Sequence, residues 1–254
     1  MRLATWNILH GRSPADGLVD APRLSGAIEA LDADVLALQE VDRGQRRSGL
    51  LDLTAVAAEA MGGAEARFVP TLIGEPGPAS RPASEADLDA LADGYGIALL
   101  SRYPVLRWHV LRLPSSARLP APLVAAEGGG VTRLRDEPRA VVAATIRTPF
   151  GPWSIACTHL SFVRAANVRQ LRRTMRWLRT LPGPRVLMGD FNLPAGAVER
   201  IAHTRPLTRG ATFPAARPLV QIDHVVSAEP LPPARQLRLA RPPLSDHLPL
   251  AVEF

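Results

Sequence analysis

Five short segments end an apolar run on polar or ionisable side chains: Thr5-Trp6-Asn7, Leu38-Gln39-Glu40, Thr158-His159-Leu160, Gly189-Asp190-Phe191-Asn192 and Ser245-Asp246-His247. The fourth is the most informative, because Arg185-Val186-Leu187-Met188 delivers an acid and an amide straight into a turn. A magnesium-type cation takes oxygen ligands and keeps some of its waters. Asn7 offers a carbonyl oxygen, and Glu40 and Asp246 offer carboxylates. Asp190 and Asn192 lie two apart, so an extended backbone points both side chains the same way. Such a pair can orient and deprotonate a water while the amide holds a phosphate oxygen or the ion. An Asx-turn after a strand fits the same tetrapeptide. Taken singly, Asn7 reads as a turn residue and Glu40 as a solvated strand end. Repetition carries the weight: five such ends point to one phosphoester-cleaving site.

Two Asp-His dipeptides, Asp223-His224 and Asp246-His247, bear on the same chemistry. Neighbours on a strand face opposite ways, so neither dipeptide makes an Asp-His pair by itself. Across strands Asp223 can orient His247, which leaves Asp246 for the metal or its water and turns His224 away into packing. His159 has a plainer reading as a satisfied core histidine. Arg139, after Asp136-Glu137-Pro138, can clamp a phosphate or form a surface ion pair. Arg164, Arg169, Arg172, Arg173, Arg176 and Arg179 are spread too evenly around their helix to mark one patch, and are expected as a solvated face.

The elements that must position these residues are legible in outline. Strands are expected over 2–8, 35–38, 68–69, 96–101, 105–113, 139–148, 153–158, 185–188, 221–226, 236–239 and 250–254. Helices are expected over 21–31, capped by Asp20 with Pro22 in the first turn, and over 52–61, stopped by Gly62-Gly63. Val168, Leu171, Met175 and Leu178 mark a helix over 164–181, and a short one follows near 195–201. Loops fill 74–93, with one helical turn near 85–91, and 114–138, which contains Gly128-Gly129-Gly130. Strands run throughout and no repeat is found, so 1–254 reads as a single domain.

A core of this length needs neither disulfides nor a structural metal, and the lone Cys157 sits in an apolar run as a buried hydrophobe. No stretch reaches the length of a membrane span and Met1-Arg2-Leu3 leads straight into the first strand, so a cytoplasmic protein without membrane insertion is expected. The net charge of +6 favours anionic partners, nucleic acid being one class among several. All thirty basic residues are arginine, which points to compositional bias and also suits bidentate phosphate binding.

The ordered set Thr5-Trp6-Asn7-Ile8, Leu38-Gln39-Glu40, 99–104 (Leu-Leu-Ser-Arg-Tyr-Pro), Thr158-His159-Leu160, Gly189-Asp190-Phe191-Asn192, Ile222-Asp223-His224 and Ser245-Asp246-His247 resembles the endonuclease/exonuclease/phosphatase superfamily, over nearly the whole chain. The resemblance implies an α/β fold, a four-layer sandwich of the DNase I type with two mixed sheets packed face to face and helices outside. It also implies in-line phosphoester hydrolysis with a divalent cation, Mg²⁺ in most members and Mn²⁺ as the alternative. Carried over by position, Asn7 and Glu40 hold the metal with Asp246 beside it, and Asp190 activates the water. Asn192 and His159 contact the phosphate, and His247, oriented by Asp223, stabilises the transition state. Gln170 occupies a place where the family often carries glutamine. Leu9 stands where abasic-site repair members carry aspartate, and Ile222-Asp223-His224 departs from the inositol polyphosphate 5-phosphatase pattern. No exposed aromatic hairpin of the secreted sphingomyelinase kind is evident. The run 7–11 with Asp42-Arg43 looks most like a broad bacterial branch, in which His10 and Arg12 join the pocket or form a simple turn.

These readings converge on a metal-dependent phosphodiesterase, nuclease-like or acting on a lipid or small-molecule diester. A phosphomonoesterase is the alternative. A catalytically silent binding module is disfavoured because the site residues are all present. A zinc hydrolase lacks helical His spacing and soft ligands.

Overall fold

Strand segments that are apolar at every position suit burial on both faces, and the structure separates those faces cleanly. Val35 and Ala37 join one core while Leu36 and Leu38 join another. The computed structural model describes residues 1–77, 79–88, 90, 92–115, 123–126, 130–133 and 136–254. Its first half forms β1 (Arg2–Asn7), α1 (Ala21–Leu31), β2 (Val35–Arg43), α2 (Leu53–Ala60), β3 (Glu65–Ile73), β4 (Arg81–Pro82), β5 (Gly94–Ser101), β6 (Val105–Leu113), β7 (Leu123–Ala126) and β8 (Gly130–Arg133). Then come β9 (Arg139–Thr148), β10 (Gly151–His159), α3 (Arg164–Leu178), β11 (Arg185–Asp190), α4 (Ala195–Ala202), β12 (Arg205–Pro206), β13 (Asp223–Ser227), β14 (Arg235–Gln236) and β15 (Leu250–Glu253).

One sheet runs β14-β15-β1-β2-β5-β3-β4, the other β12-β13-β11-β10-β9-β6, and β7 pairs with β8 alone. Each large sheet has one parallel pair at its middle, β1–β2 joined through α1 and β10–β11 joined through α3. Their remaining pairings are antiparallel. Leu3, Val35, Ala37 and Leu99 meet Val142, Ile155, Met188 and Val225 between the sheets. Leu24, Ile28 and Leu53 of α1 and α2 cover the outer face of the first sheet. Leu171, Met175 and Val198 of α3 and α4 cover the second. This is the expected four-layer α/β sandwich, and Cys157 is buried in its middle layer.

Local signals explain most boundaries. The Asp20 carboxylate accepts from Arg23 N at 2.7 Å and caps α1, and Asp52 caps α2 through Thr54 N and Ala55 N. Where the structure departs from the sequence reading, tertiary pairing is the reason. β2 runs on to Arg43 because it slips register against β5 between Gln39 and Val41, with Glu40 at φ 55° in the slip. Register with β5 likewise extends β3 beyond 68–69. The 114–138 stretch holds the β7–β8 hairpin, Gly130 included, while Gly128 and Gly129 lie outside the described residues. In 74–93 the helical turn is Glu85–Leu88. The tail strands are shorter than expected: β13 begins at Asp223, and only Arg235–Gln236 pair with β15.

The α3 arginines are a correction. Ala166, Asn167, Gln170, Leu171, Thr174, Met175 and Leu178 take the buried side, and all six arginines are exposed. Five of them, Arg169 to Arg179, form one face rather than an even distribution, while Arg164 is exposed at the first position of the helix. Among the described residues no helix is long and apolar enough to cross a membrane.

Candidate active site

Ligands of open α/β sheets gather at the carboxyl ends of parallel strands. Here the two parallel pairs bring theirs together. In register, Asn7 lies beside Gln39 and His159 beside Asp190. Gly189 makes the second pairing feasible: its φ is 138°, and a Cβ there would sit 1.9 Å from the Thr158 carbonyl oxygen. The β2 irregularity does the equivalent work in the first sheet, turning Glu40 toward Asn7.

Asp190 Oδ2 is the hub. Asn7 Nδ2 donates to it at 3.2 Å and to Glu40 Oε1 at 3.0 Å. His159 Nε2 lies 3.4 Å from the same oxygen and His247 Nε2 4.0 Å. The other Asp190 oxygen accepts from Asn192 N at 2.9 Å, so the Asx-turn and the site coexist. That turn holds Asn192 at φ 49°, with Nδ2 donating to Leu160 O at 3.0 Å and 3.3 Å from His159 Nε2. Non-glycine residues at positive φ are costly, and here Glu40, Asn192 and Ser245 all carry such strain.

Asp223 and His247 pair as the sequence suggested, Oδ2 to Nδ1 at 2.9 Å. His247 comes from the loop before β15 rather than from a strand. Trp6 Nε1 donates to its carbonyl at 3.0 Å, its N–H donates to Ser245 Oγ, and that hydroxyl donates to Asn7 O at 2.6 Å. Phe213 packs against the imidazole, ring centroids 4.9 Å apart.

Burial, and then the neighbouring Asp223 charge, push the Asp190 carboxyl up to about 7. Burial works against a charged His247, but the Asp223 hydrogen bond and the charges of Asp223 and Asp190 outweigh it and raise the imidazole to about 9. Burial, then the Arg139 and His247 charges, drive His159 well below the ordinary histidine range, so it is neutral. Burial also raises Glu40, against the Asn7 hydrogen bond. One imidazolium, one neutral imidazole and a carboxyl poised near neutrality therefore share one site.

A cleft of about 390 Å³ opens over this hub, lined by His10, Glu40, Arg139, His159, Asp190, Asn192, Asp246 and His247. Asn7 lies beneath it and Asp223 behind His247. Two residues are placed elsewhere. Gln170 is buried, accepting from Ser161 N at 2.8 Å and donating to Pro114 O at 3.0 Å, so it braces the β10–α3 connection. Arg12 is exposed, with its guanidinium beside Gly17. His224 turns away, packed against Phe191 and bonded to Leu193 O at 2.8 Å. His10 faces the cleft, where burial and then Arg47 lower it to about 4.

Arg47, Tyr95, Phe162 and Phe213 also line the cleft and were not singled out from sequence. Arg47 is locked by both oxygens of buried Asp42, at 2.7 and 2.8 Å, and lies over the Tyr95 ring. An acid–arginine spacing of five was its only sequence signal.

The donor set fits a hard divalent cation. Asp190, Asp223 and His247 offer ligand atoms within 4.8 Å of one another, although Asp223 and His247 already bond each other. Asp246 Oδ1 and Asp223 Oδ1 are buried without a hydrogen-bond partner, and the amide of Asn7 bridges two carboxylates where positive charge is wanted.

Comparison with known proteins agrees with this geometry. YbhP of Escherichia coli K12 is 30% identical over 180 residues, 63% of this chain and 62% of that protein, so the match spans less than two thirds of its relative. A solved endonuclease/exonuclease/phosphatase from Beutenbergia cavernae superposes at TM-score 0.65 with 24% identity, over 99% of this chain and 70% of that one. The mannosyl-6-phosphatase of Bacteroides thetaiotaomicron superposes at 0.64 with 17% identity, over 100% and 98%. The sequence pattern of the Endonuclease/Exonuclease/phosphatase family matches residues 4–247, a span that takes in every residue around the Asp190 hub. With fold and sequence pattern in agreement, the chain belongs to that family.

Proposed function

We propose that the protein is a divalent-metal-dependent phosphodiesterase in which water attacks phosphorus in line. The observation that carries the reading is the convergence of Asn7, His159 and His247 on a single oxygen of Asp190. Asp190, poised near neutrality, takes the proton of the attacking water. Asn192 Nδ2 and neutral His159 stand beside it to hold non-bridging oxygens. Protonated His247, kept in its tautomer by Asp223, faces the charge that builds as the ester breaks. Glu40 and Asp246 are the oxygen ligands assigned to the cation, Mg²⁺ or Mn²⁺, and Asn7, whose Oδ1 accepts from Leu9 N, would join them on rotation of its amide. When bound, the cation supplies charge neutralisation and polarisation of the phosphoryl group.

Phosphomonoesters are the second reading, and one observation favours it. Arg47 and Arg139 place two guanidinium groups in the same cleft, held there by Asp42 and Glu137, and their remaining N–H donors suit the extra oxygen charge of a monoester. Hydrolysis of bis-p-nitrophenyl phosphate, p-nitrophenyl phosphate and plasmid DNA, each with Mg²⁺, Mn²⁺ or EDTA, separates the two. Metal-dependent diester cleavage supports the first reading, monoester cleavage alone moves the assignment to the second, and activity undiminished by EDTA removes both.

A further inference from the structure

We propose that the outer face of α3 is a docking track for the sugar-phosphate backbone of a polynucleotide, outside the catalytic cleft. At 3.6 residues per turn, Arg169, Arg172, Arg173, Arg176 and Arg179 fall within an arc of about 120° and span roughly 15 Å of helix axis. All five are exposed, as is Arg164 at the start of the helix, and α3 contains no acid. None of the six has a carboxylate within ion-pair distance among the described residues.

Compositional bias explains why the chain uses arginine instead of lysine, but not where its acids are missing. Between Glu137 and Asp190 lie nine arginines and no acidic residue, while the rest of the chain carries twenty-one arginines against twenty-four acids. Positive charge is thus segregated, and α3 presents most of it to solvent. The shape of the patch selects its partner. The apolar side of α3 is spent on the second sheet through Leu171, Met175 and Leu178. What remains is a narrow line of cations whose flanking apolar side chains, Val168 and Trp177, are packed against the same core, so a linear polyanion matches it by counterion release better than a bilayer does. The helix itself starts two residues after Phe162, which lines the cleft, so a strand lying on α3 can continue toward the hub.

The test is fluorescence anisotropy with labelled single-stranded DNA in EDTA, which makes binding independent of hydrolysis. Wild type is compared with Arg172→Gln/Arg176→Gln and with Arg238→Gln/Arg241→Gln, an exposed pair elsewhere that removes the same charge. Binding by wild type should weaken at least about tenfold in the α3 variant, and its log–log salt slope should shrink by about 1.4, with little change in the control. Equal weakening in both variants would reduce the effect to net charge and overturn the track, as would no binding by wild type. Loss of binding to phosphatidylglycerol vesicles in the α3 variant, with DNA affinity intact, would overturn it in favour of a membrane. Hydrolysis of bis-p-nitrophenyl phosphate by the α3 variant should stay within about twofold of wild type. A wild type inert on every ester would sink the hydrolase reading and leave this one standing.

Discussion

The two parallel strand pairs share one scaffold and end on different side chains at the site. β1–α1–β2 and β10–α3–β11 each place a parallel pair at the middle of a sheet, and each ends on polar residues at the site. In the proposed mechanism the first unit contributes cation ligands, Asn7 and Glu40. The second contributes His159, Asp190 and Asn192, which line the cleft and to which that mechanism assigns proton transfer and the phosphate. Their devices differ too. β2 reaches the site by slipping register at a strained Glu40, whereas β11 keeps register and uses Gly189 to pass the Thr158 carbonyl. A pairing of this kind lets metal affinity and proton transfer be altered separately.

Breaking the second unit should cost most. Asp190→Asn should lower kcat by on the order of 10²–10³ or more, measured under saturating cation, because it removes the base and the hub oxygen's charge. Gly189→Ala should destabilise the fold by about 3 kcal/mol in urea unfolding, since a Cβ would collide with backbone that cannot swing away. As a comparison of cores, Leu36→Ala in the first sheet and Leu187→Ala in the second should each cost about 2–5 kcal/mol, since both side chains are fully buried.

The pH profile sharpens the division within the second unit. In the proposed mechanism Asp190 works as the carboxylate, so activity should rise through about 7, and a bound cation should carry that limb lower by favouring the charged form. The same mechanism needs His247 protonated, so activity should fall as pH passes about 9. Asp223→Asn removes the interactions that hold the proton on His247, and should bring the alkaline limb down by about a unit or more. An unmoved alkaline limb would detach His247 from it. The smallest effect is at Cys157: burial pushes its thiol up to about 12, so iodoacetamide should label it only on unfolding.

Much of this was legible because its signals are local. The spacing of Asp190 and Asn192 after an apolar strand, the Asp20 and Asp52 caps, and the apolar faces of α1 and α3 depend on near neighbours. What escaped depends on contacts distant in sequence, or on a turn that the local pattern does not dictate. Nothing in 35–43 announces that Glu40 will leave the strand, because the slip is set by pairing with β5. Arg47 reaches the cleft only because a turn folds it back onto Asp42. Gln170, reasonable as a ligand on a helix near the site, is consumed by Ser161 N and Pro114 O. The evenness of the α3 arginines dissolved once burial on the opposite side was known.

The division of labour is tested most directly by titrating Mg²⁺ into wild type, Glu40→Gln and Asp190→Asn while following bis-p-nitrophenyl phosphate hydrolysis. Glu40→Gln should need on the order of tenfold more cation and then recover much of its rate, since one charged oxygen ligand is lost and the base remains. Asp190→Asn should stay slow at every concentration. Rescue of Asp190→Asn by excess Mg²⁺, with Glu40→Gln unrecoverable, would reverse the assignment and contradict the account.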